Sequence, residues 1–167
     1  PDGSNTACAL VETAVSNYHI TSRGTGTISA PGTTTFSCYL KANTRTAAVL
    51  QINEGSNRYA ALFDLSGGTF VATNTTGSPT VTSNSITSIG NGWYRCSVSC
   101  AVATTCDAII ALSNSTSPTW TASVPTYLGD GTSGCYLWGA QLEQRSTALV
   151  YTATTTAAIR TSLLSES

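Results

Sequence analysis

The chain has 167 residues, of which 9% are charged, and carries a formal net charge of −1 with a single histidine, His19. That balance excludes the basic footprint that nucleic acid or an anionic membrane surface would select. No apolar run approaches the roughly 18 residues of a membrane helix, and the first residues lack the basic start and apolar stretch of a signal peptide, so no membrane insertion is expected.

The opening Pro1-Asp2-Gly3-Ser4 reads as the middle of a turn, so the chain is expected to start inside a longer protein. Thr33 to Ala42 alternates, with Phe36, Cys38 and Leu40 on one side and Ser37, Tyr39 and Lys41 on the other, the pattern of a half-buried strand. After a turn at Ala42-Asn43-Thr44-Arg45, Ala47 to Asn53 is mostly apolar on both faces, as a central strand is. Tyr59 to Leu65 and Thr69 to Thr73 flank Ser66-Gly67-Gly68, whose glycines supply the positive φ angles of a tight hairpin. Thr80 to Ile89 is an alternating polar strand, Gly90-Asn91-Gly92 breaks it, and Trp93 opens the next. In that strand Tyr94, Cys96, Val98, Cys100 and Val102 share one face, and Arg or Ser occupies the other. Asp107 to Leu112 is a short apolar strand, followed by a loop from Ser113 to Pro125, Tyr127-Leu128, a turn over 129–134 and a strand from Cys135 to Leu142. Ser and Thr supply 52 residues and Met none, a usage that favours pleated strands over helices.

Eight to ten short strands at spacings near ten residues predict an all-β antiparallel two-sheet sandwich, with an antiparallel jelly roll as the specific form. A chain of this length supports one core and buries about 70% of its unfolded surface. The boundaries expected are a sandwich over 1–145 and a Thr- and Ala-rich segment over 146–167, a strand or docking tail of the same domain. The six cysteines are expected to be reduced core residues, because Cys38, Cys96 and Cys100 fall on apolar faces; a Cys100–Cys106 bridge across a short turn is the alternative. With no CxxC pair and one histidine, zinc is not expected.

Three segments together carry a resemblance: Gly90-Asn91-Gly92-Trp93-Tyr94-Arg95-Cys96-Ser97-Val98, Tyr127-Leu128-Gly129-Asp130-Gly131-Thr132-Ser133-Gly134, and Cys135-Tyr136-Leu137-Trp138-Gly139-Ala140-Gln141-Leu142-Glu143. They resemble the lectin-like, concanavalin A-like jelly-roll modules of tailed-bacteriophage virion proteins, in which such signatures precede a Tyr-containing, Thr-rich segment like 148–155 here. The likeness extends more loosely to Phe36–Ala42, Phe63–Thr69 and Pro1–Ala7. The family's usual strand before the Pro-Asp-Gly turn is missing, and Thr152 stands where a proline commonly follows the tyrosine. The resemblance implies a virion structural component (tail fibre, head fibre or capsid decoration) at the capsid or tail surface. Its implied partners are other virion proteins, further copies of itself with a trimer favoured, and host-surface glycan.

The acids Asp2, Glu12, Glu54, Asp64, Asp107, Asp130, Glu143 and Glu166 offer no i, i+2 carboxylate pair on one strand face, so enzymatic chemistry is not expected and neither is a cofactor. His19 beside Tyr18 is read as a strand-surface histidine, with a lyase-like site as the alternative. For glycan, Trp120 in the loop Ser117-Pro118-Thr119-Trp120-Thr121 is the best stacking platform, and Tyr59 with Arg58 and Asn57 is the second. Trp93 and Trp138 are assigned to the core or to sheet packing. Asp130 is the one calcium candidate, against an ordinary Asx turn. The competing function is a polysaccharide-active enzyme or the carbohydrate-binding module of one, and two carboxylates in a cleft, or His19 facing an Arg and a Tyr, would favour it.

Overall fold

Cys96 and Cys38 lie directly opposite each other on neighbouring strands, with Val98 opposite Phe36 and Tyr94 opposite Leu40, so the expected alternation aims one apolar stripe into the interior. The computed structural model describes residues 6–22 and 28–153, so the opening turn at Pro1–Ser4 and the tail beyond 153 lie outside the described residues. The described residues form strands and turns without helix.

The strands are β1 (Cys8–Val11), β2 (Ser16–Asn17), β3 (Ile20–Ser22), β4 (Ile28–Ser29), β5 (Gly32–Ala42), β6 (Ala47–Asn53), β7 (Arg58–Asp64), β8 (Thr69–Thr76), β9 (Val81–Gly90) and β10 (Trp93–Val102). They continue as β11 (Thr105–Ser113), β12 (Trp120–Thr121), β13 (Val124–Pro125), β14 (Tyr127–Leu128) and β15 (Gly134–Glu143). One sheet has the order β1-β15-β5-β10-β9, and the other runs β3-β11-β6-β7-β8 with β4 also on β11. All their pairings are antiparallel. The fold is therefore an all-β antiparallel two-sheet sandwich. The chain crosses between sheets at β5 to β6, β8 to β9 and β10 to β11, and returns to the first sheet at β15.

The inner faces meet in one cluster that includes Phe36, Leu40, Leu50, Phe63, Val98 and Leu112. Burial of this apolar area is the main stabilising term, about 1.5–3 kcal/mol for each fully buried large aliphatic or aromatic side chain. Cys38, Cys96, Cys100, Cys106 and Cys135 belong to the same cluster, and all six cysteines are free thiols. The Cys100–Cys106 bridge is thus not formed. Burial pushes the Cys38, Cys100 and Cys135 thiols up to about 12, and Cys106 up to about 11, so they pack as small apolar groups.

As expected, β6 is mostly apolar on both faces. Its outward Ala47 and Val49 join Ala60, Leu62, Ala111 and Val124 in a second cluster, because the segment carrying β12 and β13 folds across the outer face of this sheet. Gln51 ties that segment down by donating to the Ala122 and Ser123 carbonyls at 3.0 and 2.9 Å. The β9–β10 turn carries positive φ at Gly90, Asn91 and Gly92, a run that only glycine and asparagine adopt readily.

Two expectations need correction. The strand β5 is buried on both sides through Thr34–Cys38 rather than half-buried. The physical reason is a cover: beyond β15 the chain crosses the outer face, where Thr35 Oγ1 donates to the Arg145 carbonyl at 2.7 Å and Ser99 Oγ to the Ser146 carbonyl at 3.3 Å. The second concerns residues 8–22, which supply strands that local alternation did not announce, with β1 extending the first sheet beside β15 and β3 the second beside β11.

Candidate functional site

The outer face of the first sheet presents four cross-strand rows, because residues directly opposite in an antiparallel ladder point the same way. The first row is Trp93, Lys41 and Tyr136, and the second is Thr87, Arg95, Tyr39 and Trp138. The third is Ser85, Ser97, Ser37 and Gln141, and the fourth is Ser83, Ser99, Thr35 and Glu143. One end of the face is thus aromatic and cationic, and the other is mostly hydroxyls, with Gln141 and Glu143 on its β15 side. The covering segment starts over the hydroxyl end, at Arg145 and Ser146, and reaches the aromatic end at Tyr151.

At the aromatic end Trp138 stacks on Tyr39 with ring centroids 5.2 Å apart and on Tyr151 at 4.5 Å. The bulge between Trp138 and Gln141 makes this possible, since Gly139 takes φ +61° there and a Cβ would sit 3.1 Å from Tyr39 Cδ2. Arg95 lies over Tyr39 at 5.2 Å and donates from Nη2 to Ser37 Oγ at 3.2 Å. Its Nε–H is buried and has no acceptor, and no carboxylate pairs with the guanidinium among the described residues. Beside it runs a surface groove of about 300 Å³ between β9, β10 and the covering segment, lined by Ser83, Ser85, Thr87, Arg95, Ser97 and Thr147, among others. Ser85 and Ser97 share one hydrogen bond at 2.7 Å, which leaves the pair one free hydrogen and open lone pairs.

A second polar cluster closes one end of the sandwich. Arg45 donates from Nε to Glu12 Oε2 at 2.8 Å and from Nη2 to Oε1 at 2.6 Å, Tyr127 Oη donates to Oε2 at 2.8 Å, and the Asp130 amide donates to Oε1 at 2.7 Å. Burial pushes the Glu12 carboxyl up, but these donors outweigh it and hold it below the ordinary carboxylate value. Burial and the adjacent Glu12 carboxylate push the Tyr127 phenol up, so it stays protonated and donating. His19 packs on the Tyr127 ring at 4.6 Å, accepts the Thr13 amide at Nδ1 (3.3 Å) and meets the Tyr127 carbonyl through Nε2 (3.4 Å), which puts its ring proton on Nε2.

The expected glycan residues are not gathered in one place. Tyr59 is fully buried in the main cluster, its hydroxyl receiving Asn84 Nδ2 at 3.1 Å, so it is not a surface platform. The reason is parity: Tyr59 shares the inward side of β7 with Ala61 and Phe63. Asn57 caps the neighbouring loop by accepting the Ser78 amide, and Arg58 donates to Asn53 Oδ1 at 3.2 Å, so both are committed to local structure. Trp120 is half-buried in β12 and packs against the second cluster, on the sheet opposite Arg95. Trp93 and Trp138 are half-buried residues of the outer sheet face and not of the core, so of the two expected placements sheet packing is the one observed.

His19 is buried, not on a strand surface. Asp130 commits its carboxylate to its own turn, accepting the Thr132 and Ser133 amides at Oδ1 (2.8 and 2.7 Å) and Ser133 Oγ at Oδ2 (2.6 Å), which is the Asx-turn arrangement. Sequence reasoning missed the Arg95 groove, although its signal was present as the period-2 set Ser83, Ser85, Thr87 facing Arg95, Ser97, Ser99. No protein-family model matches the chain, and no curated protein is significantly similar to it.

Proposed function

We propose that this chain is a non-enzymatic structural module of a tailed-bacteriophage virion, of fibre or capsid-decoration type. It assembles with copies of itself, a trimer being favoured, among other virion proteins at the capsid or tail surface, and contacts host-surface glycan. The three signature segments support the family, and the repeated crossovers between sheets support the lectin-like jelly-roll form.

One observation carries the assembly reading. Residues 65 to 94 contain no Asp, Glu, Lys, Arg or His, and they supply both β8 and β9, the terminal strands of the two sheets on one flank. Monomeric sandwiches blunt such edges with charge or proline. Here β9 is ten residues long and uncharged, with Val81 44% and Ile89 43% exposed, and Phe70 on β8 is 41% exposed. A second copy meets this flank without like-charge repulsion and pairs with free backbone donors and acceptors. Pairing in the sheet plane leaves the side chains that line the Arg95 groove free.

A second reading, an acid–base site on polysaccharide, is favoured by His19, Tyr127, Arg45 and Glu12 standing together. Against it, His19, Tyr127 and Glu12 are all buried and each polar atom is already engaged.

The test is native mass of the purified chain, with a glycan screen and a depolymerisation assay on one preparation. A trimer with glycan binding and no cleavage is the expected result. A monomer would overturn the assembly reading, and cleavage abolished by Tyr127→Phe would establish the enzymatic one.

A further inference from the structure

The Arg95 guanidinium is under-used where it stands. It is half-buried, has one side-chain hydrogen bond, no carboxylate partner among the described residues, and a buried Nε–H with no acceptor. A buried donor left unmade is costly, and a guanidinium fork matches a carboxylate in two parallel hydrogen bonds. The neighbouring groove exposes more carbon than polar surface, as a sugar-ring face requires, and its hydroxyls come from three elements: Ser83, Ser85 and Thr87 on β9, Ser97 on β10, and Thr147 on the covering segment. Its volume of about 300 Å³ stands at the small end of ligand sites, enough for a sugar unit and too little for a folded partner.

We infer that this groove binds an acidic saccharide, with Arg95 taking the sugar carboxylate and the Ser and Thr hydroxyls meeting the ring hydroxyls. This deepens the glycan part of the proposed function and rests on it. The buried Nε must become accessible for a carboxylate to reach it, and the covering segment at Ser146–Ala148 forms the adjoining wall. Its anchors nearest the groove are single hydrogen bonds from Thr35 to the Arg145 carbonyl and from Ser99 to the Ser146 carbonyl. Neutral sugars fill the hydroxyl contacts but leave the cation alone, so selectivity for acid over neutral ligand is the signature of the site.

The experiment is titration calorimetry of the full chain with oligogalacturonate, oligoalginate and sialyllactose, and with the methyl ester of the acid that binds best. We expect saturable binding to at least one acid, weakened about tenfold or more by esterification, by Arg95→Gln, and partly by Arg95→Lys, which keeps charge but not the fork. Affinity should also fall as salt rises. Binding to none of the three acids, or equal binding of acid and ester, overturns the inference. The ester comparison uses the unaltered chain, so it stands even if Arg95→Gln fails to fold. Equal binding of a neutral dextran overturns the acid site while leaving glycan contact intact, and the native mass of the same sample reports on assembly separately.

Discussion

Arg45 grips the Glu12 carboxylate at both oxygens, at 2.8 and 2.6 Å, and so joins the corner between β5 and β6 to the chain just after β1. The Tyr127 hydroxyl and the Asp130 amide complete the carboxylate's partners, which adds the 127–134 turn to the same knot. Removing one partner of a buried, hydrogen-bonded ion pair leaves the other uncompensated, at a cost of about 3–5 kcal/mol, and Arg45's partial exposure puts this site at the low end. Glu12→Gln should therefore lower stability by about 3 kcal/mol in denaturant unfolding, with no change in native mass. A loss under about 1 kcal/mol would mean the knot is not a stability element.

The same group sets the acid limit. Glu12, Asp130 and Asp64 all have folded-state values below their ordinary ones, Glu12 because Arg45 and its other donors outweigh burial, Asp130 through Ser133 and Thr132, Asp64 through Ser66. A depressed carboxyl contributes stability above its unfolded value and loses it as pH falls through the folded value. Melting temperature is expected to hold between about pH 5 and 7, then fall below about pH 4.5. The Glu12→Gln variant should show a shallower acid limb, and parallel curves for the two proteins would remove Glu12 from the explanation.

Much of the interior was legible because it is written at period two. Phe36, Cys38 and Leu40, and Cys96, Val98 and Cys100, sit where alternation puts them, whereas the two-sided apolarity of β6 was read only as that of a central strand and its cover, the segment carrying β12 and β13, was not foreseen. Tyr59 was misjudged because β7 is apolar on both sides, so alternation could not tell inward from outward, and its polar neighbours Asn57 and Arg58 suggested a surface. The burial of Thr35 and Ser99 goes with a segment 47 residues away in sequence from Ser99 at Ser146, whose contacts run through backbone carbonyls that no side-chain pattern announces. Glu12 and Arg45 are likewise 33 positions apart. The groove was missed for a related reason: hydroxyls facing outward on two polar strands read as solvent-facing until the covering segment gives them a wall.

Thiol chemistry provides a sharp check on the core. Five cysteines are buried and Cys8 is exposed. Reaction with a disulfide reagent needs a thiolate in contact with solvent, and burial denies both. One equivalent should react in the native protein, at Cys8, and six after unfolding. Four after unfolding without reductant would reveal a disulfide, with Cys100 and Cys106 the pair to examine first.

The covering segment is held at its far end by aromatic packing that depends on one glycine. Gly139 adopts φ +61°, and its missing Cβ leaves room for Tyr39 Cδ2 at 3.1 Å and Tyr151 Cδ2 at 3.3 Å. Alanine there carries the left-handed backbone penalty and crowds both rings, so Gly139→Ala should cost about 1–2 kcal/mol. Tyr151→Ala removes the stack on Trp138 without touching the backbone, a loss nearer 1 kcal/mol. Both variants should expose Trp138, read as a red shift in tryptophan emission, and both should speed proteolytic cleavage within 145–153. A Tyr151→Ala protein cut no faster than the parent would show that the anchors at Arg145 and Ser146 hold the cover alone, and that the stack serves the aromatic end of the face instead.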